Sequence, residues 1–306
     1  MTPSYGVRER TAPAYGARWS RERVETAALR VLRWLTVAFF LVVTLVPFYY
    51  MVLLSFRSIQ ALLLAPGRLW PSLGELTAST YVDVLRSMDE GGQGFLLFMR
   101  NSAVLAVLTV IATLLVSIPG AYAVSRLRFS GRRQVHFLFL AVYLFPSIVL
   151  AIPLFVLLSL LGLRGSIYPL VVVYISQTVP VSIYMLRNYF ETVPRSVEEA
   201  AAVDGASRLG VVWRVSIPLA MPAITATALY VFMIAWNEFL FALLFLTEDP
   251  ANWTVSLGLA RLSGSIEIPA TVLMAGSVIL TLPIVVLFFL AERMLTEGLT
   301  SGAEKG

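Results

Sequence analysis

Six stretches of this chain are each apolar enough and long enough to cross a lipid bilayer, and that restricts the fold more than any other feature of the sequence. They run over Leu35–Phe56, Ser102–Val124, Phe137–Leu163, Ser166–Leu186, Ala220–Leu246 and Pro269–Ala291. A helix needs about 20 apolar residues to match the hydrocarbon thickness. Backbone groups in lipid must find their hydrogen bonds inside the membrane, which leaves helices or a closed barrel. The ten-residue alternation of barrel strands is absent from these runs. Only the fifth carries a charge, Glu238. The expected fold is therefore an all-α integral membrane protein with six transmembrane helices. Only Leu163, Arg164 and Gly165 lie at the junction of the third and fourth runs, which predicts a tight helical hairpin.

Composition supports the same reading. The 306 residues are 58% hydrophobic and 13% charged, with mean hydropathy +0.82, against about 25% charged in a soluble domain. The absence of cysteine excludes disulfides and thiolate chemistry, and His136 is the single histidine. The net charge of +5 does not point to nucleic acid, because the arginines sit in the loops where membrane topology uses them. With the N-terminus inside, the inner segments hold 17 Arg and Lys residues and the outer ones six, which favours both termini in the cytoplasm. Of the 23 basic residues only Lys305 is lysine, a bias that suits a GC-rich genome. The first apolar run follows an Arg-rich stretch and precedes no small-residue cleavage site, so it reads as a retained helix. The organisation is a cytoplasmic segment 1–30, a six-helix domain 31–296 and a cytoplasmic tail 297–306. The domain carries outer loops 57–101 and 247–268 and a long inner loop 187–219.

That inner loop has structure of its own. Ser196 followed three residues later by Glu199 predicts a capping box. The run Ala200, Ala201, Ala202 favours helix, and Gly205 is suited to end it with positive φ. A helix of about two turns is expected outside the spans, with a second helical stretch from Ser207 to Pro218. Small residues let a partner surface approach, and Glu199 can pair with a basic group there. A solvated helical loop is the plain alternative.

At these residues the chain resembles a known family. Glu199, Ala200, Ala201, Gly205, Val215, Ile217 and Pro218 reproduce the spacing of the signature of ABC importer permeases, with Val215 and Ile217 where the family usually has Ile and Leu. The stretches Leu186–Phe190 and Ala235–Leu240 and the tail Gly298–Gly306 are similar to the carbohydrate branch, of the maltose- and trehalose-type second-permease kind. The similarity runs from about residue 35 to the end.

The resemblance implies a type I importer permease fold in a bacterial inner membrane. It implies that loop 194–218 is the coupling element, with Ser196, Glu198, Glu199, Ala200, Ala201, Asp204, Gly205 and Pro218 against an ATPase subunit. The implied partners are a second homologous permease, two ATPase subunits that bind ATP and magnesium, and an extracytoplasmic sugar-binding (lipo)protein. Loop 247–268, with Trp253, is implied to reach toward that binding protein, and the tail to contact the ATPases. The implied substrate is a sugar, a disaccharide such as trehalose or maltose, with trehalose ahead because the Arg-rich composition suits actinobacteria.

Within the spans, Asn237 and Glu238 are read either as a pathway wall or as a hydrogen-bonded clamp between helices, since an ionisable group in the membrane faces a cavity or a partner. Tyr143, Gln177 and Thr178 are weaker pathway candidates that packing also explains. Pro146, Pro153 and Pro180 mark expected kinks. The chain has no Gly-x-x-x-x-Gly-Lys-Ser/Thr loop, so ATP hydrolysis is assigned to a separate subunit and none of the chemistry to this one. The rivals are a permease for a non-sugar solute such as a polyamine, a self-contained secondary transporter, and an intramembrane enzyme. One buried charge and no internal repeat argue against the second. The absence of a nucleophile–base set argues against the third.

Overall fold

The computed structural model describes residues 16–265 and 268–303. They are almost entirely helical, and the described residues form no strand beyond a single bridge between Arg57 and Leu76. Residues 1–53 and 54–306 form two compact units. The first is essentially one helix, α1 (Gly16–Ser55), whose 40 residues rise about 60 Å. From Val24 to Phe48 its large apolar side chains are exposed, Phe39 and Phe40 among them.

The second unit contains α2 (Ile59–Leu64), α3 (Ser79–Leu85), α4 (Phe95–Arg126), α5 (Arg132–Leu144), α6 (Ser147–Leu160) and α7 (Tyr168–Thr192). It continues through α8 (Arg195–Val203), α9 (Arg208–Val211), a π turn over Val212–Ser216, α10 (Ile217–Leu219), α11 (Met221–Asn237), α12 (Leu240–Leu246), α13 (Val255–Ser263) and α14 (Ala270–Ala303). Among the described residues four helices are long and apolar enough to span unbroken: α1, α4, α7 and α14. The count reaches six if each of two bent pairs is one span: α5 with α6, bent by 84°, and the stretch Arg208–Leu219 with α11, bent by 73°.

Two expected spans are broken rather than straight. The third bends by 84° between α5 and α6. Phe145 there is extended, at φ −76 and ψ 124, because the following Pro146 disfavours helical backbone before it and offers no amide of its own. The fifth stops at Glu238, also extended, and restarts as α12. By contrast α7 runs through Pro180 without interruption.

Both outer loops hold more structure than their polarity suggests. In loop 57–101, Arg57 is fully buried and its guanidinium donates to the carbonyls of Ala61, Ala65 and Arg68, closing α2 and the turn after it. The Ser72 hydroxyl, then Arg68, hold the Glu75 carboxyl below the usual carboxylate range. α4 starts inside this loop, at Phe95. In loop 247–268, α13 is too short to span yet buries Val255 and Leu257.

The most extensive helix pairing is α4 on α7. Thr109, Thr113, Ser117 and Ala121 recur every fourth residue on α4, and all are fully buried. Small side chains allow close approach where lipid supplies no hydrophobic drive between helices. Thr113 and Thr178 share a hydroxyl–hydroxyl bond of 2.8 Å across the seam.

Candidate functional site

The inner loop folds as the expected two-turn helix, α8, but it starts differently. Ser196 does not cap it and the expected capping box does not form: the N-cap is Pro194, with no side-chain cap bond. Val193 is held extended before the proline, as the ring demands. The Pro194 carbonyl then accepts the Val197 amide at 3.3 Å, so the helix begins two residues early and Ser196 lies inside it. The C-terminus follows expectation. Gly205 takes φ +88. Its amide donates to Ala202 and that of Ala206 donates to Ala201, the paired bonds of a Schellman turn. The next stretch opens where expected, with the Ser207 hydroxyl accepting from the Gly210 amide at 3.1 Å. Pro218 sits in α10, where its missing amide costs nothing in the first turn.

The adjacent glutamates point different ways. Glu199 is exposed, and no bond to it occurs among the described residues. Glu198 turns back onto the bundle and joins three elements. Its Oε1 accepts from Arg126 Nε at 3.0 Å and from the Ser216 hydroxyl at 3.1 Å, and its Oε2 from the Tyr122 hydroxyl at 3.4 Å. Arg126 also donates to the Val193 carbonyl at 2.8 Å. The pair is nearly buried, with the Arg126 side chain 7% exposed and Glu198 12%. The last turn of α4, the first turn of α8 and the π turn are thus fastened at one carboxylate. Tyr122, Arg126 and Ser216 were not among the residues singled out by sequence. The one signal available was that neighbouring glutamates on a helix lie 100° apart, so only one of them can face the bundle.

What faces outward is apolar. Val203, Leu209 and Trp213 are 87%, 72% and 64% exposed, and Glu199, Ala200 and Asp204 are exposed with them. Outside the spans, such a rigidly held patch is suited to a protein partner. Gly205 maintains its shape. A Cβ there would meet nothing within 4 Å, so replacement carries a purely conformational penalty. Gly205→Ala is expected to cost about 1 kcal/mol and Gly205→Asn less, read as faster hydrogen exchange at the amides that close α8.

Glu238 lies at the break between α11 and α12. Its Oε2 accepts from the Tyr174 hydroxyl of α7 at 2.5 Å, and its two oxygens accept from the amides of Phe241 and Ala242. The carboxylate therefore begins α12 and ties it to α7, the geometry of a clamp. Asn237 is exposed and bonds back to the Met233 carbonyl. Tyr143 is 56% exposed and lines a cavity of about 300 Å³ with Phe139, Pro180, Tyr184 and Arg187. Gln177 is half-buried on α7. Thr178 is fully buried in the seam with Thr113, a packing position.

Trp253 is packed into its own chain. Its ring lies 5.7 Å from Phe98 and its indole donates to the Thr247 carbonyl. The Asn101 amide on α4 binds the carbonyls of Ala251 and Trp253, so the loop is pinned to the start of α4. His136 and the tail residues 297–306 lie outside the described side chains. Among the described residues no group of three or more His, Cys, Asp or Glu could hold a metal.

Comparison with known proteins places this geometry. Residues 114–297 match the family model described as binding-protein-dependent transport system inner membrane component. The chain is 37% identical over 269 residues to the inner membrane ABC transporter permease protein YcjP of Escherichia coli, covering 88% of this chain and 94% of that one. It is 38% identical over 266 residues to the trehalose/maltose transport system permease protein MalG of Thermococcus litoralis, covering 87% and 93%. Among solved structures, it is similar to a chain of a bacterial ABC transporter involved in the import of the acidic polysaccharide alginate. That likeness has a TM-score of 0.71 at 26% identity, over 92% of this chain and 99% of that one.

Proposed function

The chain belongs to the family of binding-protein-dependent transport system inner membrane components, and on that premise we propose that it forms half of the sugar pathway of an ATP-driven importer. It is a membrane-spanning permease subunit and not itself an enzyme. The observation that carries the proposal is the inner loop: a short helix riveted to α4 by Glu198 and Arg126, offering an exposed face outside the spans. Residues 194–218 are the coupling element, with Glu199, Ala200, Ala201, Asp204 and the apolar patch seated in an ATPase subunit that binds ATP and magnesium. Movement of that subunit on ATP binding is transmitted through the rivet to α4, and through α4 to its seam with α7.

The partner permease supplies the other half of the pathway, and both termini lie in the cytoplasm. Loop 247–268, braced from within by Trp253, faces a sugar-loaded binding protein. Tyr143 and Asn237, exposed on α5 and α11, are the pathway-facing candidates. Gln177, half-buried on α7, is a further candidate, and Glu238 acts as a clamp between α12 and α7. The relative from Thermococcus litoralis is a trehalose/maltose permease, which supports a disaccharide, trehalose first.

The test is uptake into proteoliposomes by the complete complex with its binding protein. ATP-dependent accumulation of labelled trehalose or maltose is the expected result. Accumulation of a polyamine with no sugar uptake would assign the permease to another solute.

A further inference from the structure

Between α4 and the inner loop lies a groove of about 970 Å³, whose loop-side wall shares Glu199, Leu209 and Trp213 with the face offered to the ATPase and whose α4 side has no part in the transport scheme. One wall is a stripe of α4: Ile111, Leu115, Ile118, Pro119 and Tyr122 recur at three- and four-residue spacing along one face. The opposite face of α4, with Thr113 and Ser117, is the one sealed against α7. From Ile111 to Arg126 the stripe rises about 22 Å, enough to pass through the roughly 15 Å of hydrocarbon in one leaflet and reach its headgroups.

The mouth of the groove has a different chemistry. Arg126, Arg128, Arg195 and Arg208 line it, with Glu198 and Glu199. Arg126 and Glu198 satisfy each other. That leaves three exposed arginines facing one carboxylate, and among the described residues none of the three has an ion pair or a hydrogen bond. An apolar slot one leaflet deep, opening onto unpaired guanidinium groups at the membrane boundary, matches an acyl chain joined to a phosphate. Guanidinium groups bind phosphate through paired N–H donors, and basic pockets beside membrane helices on the cytoplasmic side take anionic headgroups.

We propose that this groove binds an anionic phospholipid of the inner leaflet, its headgroup phosphate on Arg128, Arg195 and Arg208 and one acyl chain along Ile111–Tyr122. The lipid then lies against α8 itself, since Ala202 also lines the groove. It braces the coupling helix from the membrane side while the ATPase would hold it from the other. The inference depends on the proposed function only for which leaflet the mouth faces. Its test reads lipid directly, so it can fail while sugar uptake stands, and the reverse.

The experiment uses the complete transporter in nanodiscs of equimolar phosphatidylglycerol and phosphatidylcholine, released into the gas phase for native mass spectrometry. Retained phosphatidylglycerol is expected to exceed phosphatidylcholine by about tenfold. Arg128→Gln with Arg208→Gln is expected to bring that ratio close to one. Leu115→Trp fills the slot without touching a charge and is expected to lower retention of both lipids, which covers the case where the arginine variant does not assemble. Equal retention of the two lipids by the wild type, or an unchanged ratio in the arginine variant, overturns the proposal. A photo-crosslinker at Leu115 separates the remaining occupant: a phospholipid adduct supports the site, and an adduct with another subunit assigns the groove to a protein interface.

Discussion

Glu198→Ala is expected to disable the permease by releasing α8, the proposed coupling helix, from the bundle, not by altering the surface proposed to face an ATPase. The substitution strands Arg126, 7% exposed, with only the Val193 carbonyl as a partner. It also removes the acceptor used by Ser216 and Tyr122. Breaking a buried pair by removing one member costs about 3–5 kcal/mol, because the remaining charge stays desolvated. At the membrane boundary water relieves part of that, and about 3 kcal/mol is expected. The observable is a lower thermal midpoint of the complex together with rapid hydrogen exchange confined to residues 194–218. A double-mutant cycle with Arg126→Met isolates the pair: once Arg126 is gone, replacing Glu198 is expected to cost at least about 1.5 kcal/mol less than in the wild type. Full additivity of the two losses would show that the carboxylate is not the fastener.

Glu199→Lys is expected to do the reverse. Glu199 is exposed and makes no bond among the described residues, so its reversal is within about 0.5 kcal/mol of neutral for folding. At the interface with the ATPase, a reversed charge meets the basic group that Glu199 is proposed to pair with, and like charges held together across an interface cost several kcal/mol. Stimulation of ATP hydrolysis by the loaded binding protein is expected to fall by about tenfold or more, with sugar uptake falling in step and the permease pair still assembled. Persistence of full stimulation would remove the coupling role from loop 194–218. The two neighbours thus separate cleanly, one variant failing in stability and the other in communication.

The spans were legible because twenty apolar residues in a row have few other fates, and α8 was legible because its alanines and Gly205 agree on where a helix should stop. What escaped was set partly by prolines close by and partly by neighbours distant in the chain. The capping box at Ser196 and Glu199 is a sound local pattern, yet Pro194 moved the start two residues earlier and put Ser196 inside the helix. Which of Glu198 and Glu199 turns inward depends on where Arg126 stands, 72 residues earlier. Pro146 was visible as a kink, but the size of the bend was not. Glu238 was visible as a misplaced charge, and only the structure shows it starting α12 while holding Tyr174. For Glu198 and Glu238 the residue was visible in the sequence, and a hydrogen bond to a residue distant in the chain decided its use.

The separation of Arg126 from Glu198 also orders events during synthesis. A ribosome adding about 5–20 residues per second needs roughly 4–14 seconds to pass from one to the other. Through that interval α4 has its arginine but not its counterion, and the nascent chain has no coupling surface to offer. α8 is synthesised only after both α4 and α7, which precede it in the chain. On the proposed coupling role, a half-translated permease therefore has no fastened α8 to offer an ATPase, because the carboxylate that holds it is made last.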